Sequence, residues 1–337
     1  MFDTFLYAFN AVMPMLLLML LGWGLKAAHF FDDGLLRKMN TFTFRFGISA
    51  MMFRNVYTLS SLWDIHLNVM AFVLVSCLVL TGMGWVESRL FTGRRNRRGI
   101  IIQNSFRSNF AIIGTTLAVS LGGAAGGAVS ASMQAPAIIY YNIVAVLFLT
   151  IYSDQPNRAV DVGGILKKIA TNPMILGQVA GLICLVLREF IPRNAQGELV
   201  FSLSGSLPFL YSAVESLADM ASPLILILLG ARVNFSAVGG LKKELVVGVV
   251  QRLIVAPAVG FGMVFLADSL GLFTVTPAVL SALVGMYGSP VASASAVMAE
   301  EMGGDAELAR QYVVWTSAFS MITLFLWIFL LRAAGLL

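Results

Sequence analysis

Charge is scarce in this sequence. Its 337 residues hold 22 Lys and Arg and 17 Asp and Glu, 12% in all, about half the ~25% typical of a soluble domain. Hydrophobic residues make up 58%, more apolar surface than one aqueous core of this length can bury, so the solvent is a bilayer. Cysteine is rarer still. Cys77 and Cys184 both sit inside apolar runs, where a thiol packs as a small apolar group and a disulfide framework is not expected. The two histidines, His29 and His66, fall near the ends of such runs with no Cys or second His at ligand spacing. Neither a metal nor any other cofactor is therefore expected. His-Glu-x-x-His, Gly-x-Ser-x-Gly and paired intramembrane aspartates are all missing, which argues against an enzyme. The start, MFDTFLYAFN, has no Lys or Arg before its apolar run. That is unlike a cleaved signal peptide, and the first helix is expected to stay.

What is present is apolar length. The runs are too long for the ~9 to 11 residue strands of an outer-membrane barrel. They predict an all-α polytopic membrane protein with ten spans, near 4–28, 35–58, 66–91, 99–121, 127–152, 172–190, 210–232, 244–267, 276–298 and 310–332. The turn Thr92-Gly-Arg-Arg-Asn-Arg-Arg98 and the segment holding Arg158, Lys167 and Lys168 are basic, and the positive-inside rule places both in the cytoplasm. Both termini are then outside, with 15 of the 22 Lys and Arg cytoplasmic. The basic loops orient the chain and imply no nucleic-acid partner.

The chain also repeats itself. Pro14-Met15 and Gly22 in span one match Pro173-Met174 and Gly181 in span six at an offset of 159. In span four, Ser108-Asn109-Phe110-Ala111, Ala118 and Gly122-Gly123 match Ser289-Pro290-Val291-Ala292, Ala299 and Gly303-Gly304 of span nine at an offset of 181. Because five spans is an odd number, the two halves point in opposite directions, an inverted repeat of the transporter kind. The expected division is 1–152 and 172–337 for the two five-helix repeats, joined by a cytoplasmic linker at 153–171.

Spans four and nine are the pair with broken character. Gly285-Met286-Tyr287-Gly288-Ser289-Pro290 puts two glycines and a proline inside an apolar run, and proline removes an N–H and clashes with the preceding turn. Asn104, Ser105, Ser108 and Asn109 cluster ahead of Gly114 in span four, short polar groups suited to capping unwound backbone. Helices that restart after such breaks present free N–H donors and positive dipole ends, which favour a carboxylate over a cation. The expected substrate site therefore comprises Asn104, Arg107, Ser108, Asn109, Tyr287, Gly288, Ser289 and Pro290.

Charges inside spans are costly enough to be functional candidates. An offset of 174 that matches Ser49 with Pro223 also matches Arg45 with Asp219. The two are expected to form an ion pair, with Glu215 one turn before Asp219 sharing it or carrying a coupling proton. Arg107 either meets a substrate carboxylate with its guanidinium fork or snorkels to the cytoplasm. Arg252 is expected to be structural, and Glu300, Glu301, Asp305 and Glu307 to form a solvated cytoplasmic face.

These residues carry a resemblance. Asn109 followed by Gly114 is similar to the Asn and Gly of the helix-four crossover in the auxin efflux carrier family, which includes the plant PIN-type carriers. Pro290 followed by Ala299-Glu300-Glu301 resembles that family's helix-nine crossover. Asn172-Pro173, Ser222-Pro223-Leu224, Leu229-Gly230 and the run Thr316 to Leu331 resemble its bacterial members. The resemblance implies a scaffold of helices one, two, six and seven and a transport domain of helices three to five and eight to ten. It also implies a homodimer in a bacterial inner membrane and substrates such as malonate, malate or auxin-like weak acids. Ser108 and Thr116 depart from it, standing where relatives often carry proline, and the long cytoplasmic loop of the plant carriers is missing. The resulting expectation is a secondary carrier of small organic anions working by alternating access. A cation or proton antiporter on a similar frame is the alternative, and it would want carboxylates at the breaks.

Overall fold

The computed structural model describes residues 2–58, 67–153, 167, 170–192, 199–232, 238–272 and 274–337. Most of the linker expected at 153–171 lies outside the described residues, as do His66, Arg158, Lys168 and Arg193 and the side chains of Met15, Ala111 and Thr116.

Among the described residues the chain is helical, with no strand beyond one isolated bridge. The first half contains α1 (Phe2–Ala27), α2 (Asp33–Phe42), α3 (Ile48–Tyr57), α4 (Leu67–Phe91), α5 (Arg95–Phe106) and α6 (Thr115–Ile151). The second contains α7 (Pro173–Arg188), α8 (Pro208–Arg232), α9 (Val238–Val250), α10 (Ala256–Ser269), α11 (Pro277–Gly288), α12 (Ala294–Glu301) and α13 (Ala306–Ala333). Their starts are written locally. Asp32, Asn172, Thr276 and Asp305 each accept a backbone N–H of the following first turn, and Pro173 and Pro277 fill first-turn places where no N–H is needed.

Among the described residues, five helices are long and apolar enough to cross a membrane: Asn68–Phe91, Ala125–Ile151, Pro208–Arg232, Val238–Ser269 and Ala306–Ala333. Other apolar runs are divided into shorter pieces. Wide π-turns interrupt the helices at Thr43–Gly47, Phe110–Gly114 and Gln251–Val255, and α6 bends at Gly123, whose φ of 61° suits glycine. Leu17, Leu20, Trp23, Leu78, Leu187 and Phe209 are exposed on the outside, a surface suited to lipid.

Close helix contacts use glycine. A Cβ on Gly22 of α1 would overlap the Ile227 carbonyl of α8, and one on Gly181 of α7 would stand 2.7 Å from the Phe53 carbonyl oxygen of α3. The offset of 159 links Gly22 to Gly181, and the offset of 174 links Phe53 to Ile227. Residues matched by both offsets thus make the same kind of contact in the two halves.

The charged residues are placed differently from the sequence expectation at two points. Asp219 pairs with Arg54, not with Arg45. Gly47 occupies the level of the α3 side that faces Leu217 and Ala221 of α8. Arg45, two residues earlier, lies on nearly the opposite side of the helix and is exposed. Glu215 is half-buried, one turn after Tyr211 and beside it on α8. Nor is the acidic stretch after span nine a solvated face. Glu300 pairs with Arg232 of α8 and with Arg310 (3.4 Å), and Glu301 accepts from Asn40 and Thr41 at 3.1 and 2.9 Å. Asp305 meets Arg97 at 2.8 Å and Glu307 meets Arg310 at 2.9 Å. Each acid has a partner, because α12 and α13 fold back against α2, α5 and α8.

Candidate functional site

The site begins where two helices stop. The last helical bond of α5 is Arg107 N–H to the Gln103 carbonyl at 3.0 Å; Arg107 itself turns away (φ −84°, ψ 88°), and helical structure resumes at Phe110. Helix α11 ends at Gly288. Pro290 pushes the residue before it out of the helical region, and Ser289 is extended at φ −65°, ψ 147°. Helix resumes at Ala294.

The two gaps lie against each other, antiparallel. Ser108 and Val291 form an isolated bridge. Asn109 N–H donates to the Pro290 carbonyl at 2.8 Å and Ala292 N–H to the Arg107 carbonyl at 3.1 Å. Four unwound residues thereby satisfy part of their own backbone, as burial demands. Behind the bridge, Gly114 faces Gly285, where an added Cβ on Gly285 would stand 2.7 Å from the Gly114 Cα.

The carbonyls left at the ends of α5 and α11 are met by Arg252, which is 1% exposed. Its Nε donates to Ser289 O at 3.0 Å, its Nη1 to Ser105 O at 3.2 Å, and its Nη2 to Met286 O and Tyr287 O at 3.2 and 2.9 Å. One guanidinium therefore caps two helix C-termini, where the partial negative dipole charge favours a cation. The π-turn Gln251–Val255 carries it.

Beside the bridge is a cavity of about 50 Å³, lined by Arg107, Ser108 and Asn109 from the first gap and Ala292, Ser293 and Ala294 from the second. Met51 and Met52 of α3 and Ile138, Tyr141 and Asn142 of α6 complete it. The space is several times the ~10 to 15 Å³ that holds one water. Arg107 is 3% exposed, so it has not snorkelled out. Its Nη2 donates to Asn142 Oδ1 at 2.7 Å and its Nη1 to Met298 Sδ at 2.8 Å. Asn142 Nδ2 in turn donates to Met52 Sδ at 3.3 Å, and Ser108 Oγ lies 3.4 Å from the Tyr141 hydroxyl. Asn109, just before the restart at Phe110, and Ala294, where α12 begins, both line the cavity. Among the described residues, the wall carries one cation and no carboxylate.

Of the residues singled out in the sequence, Arg107, Ser108 and Asn109 line this cavity. The others serve the surrounding frame. Asn104 donates to the Gly248 carbonyl of α9 at 2.8 Å. Tyr287 stacks edge-on with Phe261 and covers Gly260, Gly288 packs on Leu324, and Ser289 Oγ donates to the Gly285 carbonyl at 2.5 Å. Pro290 contributes its carbonyl to the bridge. Arg45, Glu215 and Asp219 are not in the cavity wall. Asn142, Tyr141 and Met298 escaped the sequence reading. An Asn inside the apolar run Ile138-Ile-Tyr-Tyr-Asn-Ile-Val was the available signal.

Comparison with curated proteins returns no match. The family model described as Membrane transport protein, that of the auxin efflux carriers, matches residues 7–328. That span takes in both helix gaps, Arg252 and the cavity wall. The chain therefore belongs to the auxin efflux carrier family of membrane transport proteins.

Proposed function

We propose that the chain is a secondary carrier of small organic anions, and that the anion's carboxylate binds in the cavity beside the paired helix gaps. The observation that carries this reading is the Arg107 guanidinium, buried in the cavity wall, whose side-chain hydrogen-bond partners among the described residues, Asn142 and Met298, are both neutral. A buried cation is normally balanced by an acid, and a substrate carboxylate supplies one here. The restarts at Phe110 and Ala294, next to Asn109 and Ser293 of the wall, bring positive helix-dipole ends beside it. A cation antiporter would want carboxylates in the same place, and the described wall has none.

Alternating access follows from the same frame. We read the chain as ten spans in two inverted five-helix repeats, residues 1–152 and 172–337. The matched glycine contacts, Gly22 on Ile227 and Gly181 on Phe53, support that reading. Helices of spans one, two, six and seven form the scaffold, and the remainder move with the cavity. Contacts such as Arg232 with Glu300 and Thr41 with Glu301 lie on the boundary between the two groups and break and re-form as they shift. Both termini face out of a bacterial inner membrane, and the working unit is a homodimer.

The test is a thermal-shift screen of the purified protein against a panel of dicarboxylates and aromatic acids, repeated on Asn109→Ala. Protection by at least one small carboxylate, weakened by roughly 1 to 3 kcal/mol in the variant, supports the reading. Protection by cations alone overturns it.

A further inference from the structure

A second feature has no role in the cavity. Glu87 of α4 is 7% exposed, and among the described residues neither of its carboxyl oxygens has a hydrogen-bond partner. The buried Nε2 of Gln251 is likewise unpartnered. Both line one groove of about 710 Å³ between α4 and the segment from α9 through the π-turn Gln251–Val255, within the ~300 to 1,000 Å³ range of small-molecule sites. The remaining walls are apolar. Val86, Leu90, Val246 and Val250 are exposed along the groove, so it opens sideways, toward lipid, and not onto the cavity.

The charges around the groove have an order. Glu87 lies one turn before Phe91, the last residue of α4. Over the Phe91 ring, 5.7 Å from its centroid, stands the Lys243 ammonium. Gln251 is two turns further along from Lys243, about 12 Å at 1.5 Å per residue. A cation thus stands beside the end of the groove at Phe91, and the groove itself offers an acid and, further inward, an amide donor. An acid inside a membrane protein is normally paired. The described residues supply no partner for this one, and the groove it lines opens along the exposed Val86, Leu90, Val246 and Val250.

We propose that the groove binds a phospholipid whose headgroup carries a primary ammonium. The phosphate pairs with Lys243 at the end of the groove, the ammonium turns inward from it to donate to the Glu87 carboxylate, and an acyl chain runs inward along Val246 and Val250 toward Gln251. Charge complementarity selects this lipid. An anionic headgroup without an amine leaves Glu87 unpaired, and a trimethylated ammonium has no N–H to donate. Gln251 adjoins Arg252 in sequence, so the lipid also braces the turn that caps α5 and α11. The inference is independent of which solute the carrier moves.

The experiment compares dioleoyl phosphatidylethanolamine with dioleoyl phosphatidylcholine and dioleoyl phosphatidylglycerol on the purified full-length chain. Retained lipid is read by native mass spectrometry and added-lipid protection by thermal melting. Phosphatidylethanolamine is expected to bind about tenfold more tightly than phosphatidylcholine, the size of one charge-assisted hydrogen-bond difference. Glu87→Gln is expected to bring that ratio close to one, and Val250→Trp to remove both lipids. Equal binding of the ethanolamine and choline lipids to the unmodified chain, a preference for phosphatidylglycerol, or an ethanolamine preference that survives in Glu87→Gln each overturns the proposal. Should Glu87→Gln not fold, the lipid comparison on the unmodified chain still decides.

Discussion

Replacing Arg252 by Met tests how the two helix gaps are held. The side chain makes four hydrogen bonds, at 2.9 to 3.2 Å, to carbonyls of Ser105, Met286, Tyr287 and Ser289. Each charge-assisted bond of this kind is worth ~1.5 to 3 kcal/mol, but burying the guanidinium costs several kcal/mol in return. Methionine removes that cost and fills much of the space. It cannot satisfy the carbonyls, because they belong to the backbone and stay buried whatever side chain stands at 252. The net loss is therefore expected at about 3 to 5 kcal/mol, the range for breaking one side of a buried charged network. Lysine keeps the charge and loses the planar fork, so Arg252→Lys should fall between. Reversible unfolding in mixed micelles gives the free energy. Hydrogen exchange at Asn109 and Ala292, whose amides form the bridge, gives the location. An Arg252→Met protein that unfolds like the unmodified one, with both amides equally protected, would refute the argument that this residue caps both helices.

Three further outcomes follow from the packing and the topology. Gly285→Ala places a Cβ 2.7 Å from the Gly114 Cα and should cost ~1 to 3 kcal/mol, whereas Gly262→Ala, with open space around it, should be neutral or stabilising by up to ~1 kcal/mol; thermal melting of both variants checks the sign. A double-mutant cycle on Arg54 and Asp219, whose carboxylate side chain is 71% exposed, should give a coupling under ~1 kcal/mol, with none for Arg45 and Asp219; a larger Arg45 coupling would reinstate the pair expected from the sequence offset. A single cysteine at exposed Arg95 should resist impermeant labelling from outside intact cells, and ready labelling would reverse the proposed orientation.

The sequence was most informative where a residue type bears a local cost. Pro290 among glycines, and Ser108 and Asn109 inside an apolar run, are backbone facts written in the chain, and all three lie in the gaps between α5 and the Phe110 turn and between α11 and α12. It was least informative about who meets those costs. The cap on both helix ends comes from Arg252, more than 30 residues from either partner segment, on a helix whose own pattern is plainly apolar. Asn142 reached Arg107 by the same tertiary route. Repeat offsets identify equivalent places, not touching ones. Gly22 and Gly181 make matching contacts, yet Arg45 and Asp219 do not meet, because helical phase within the Thr43–Gly47 turn decides which way Arg45 points.

The central claim is that the cavity beside the gaps binds a carboxylate through Arg107. The most direct measurement is the affinity of the unmodified protein and of Arg107→Gln for a small carboxylate and for its uncharged amide analogue. The account predicts that the unmodified protein prefers the carboxylate by tenfold or more, on the order of one charge-assisted hydrogen bond, and that Arg107→Gln loses this preference while remaining folded. Equal affinity for acid and amide in the unmodified protein, or a preference untouched by Arg107→Gln, would contradict it.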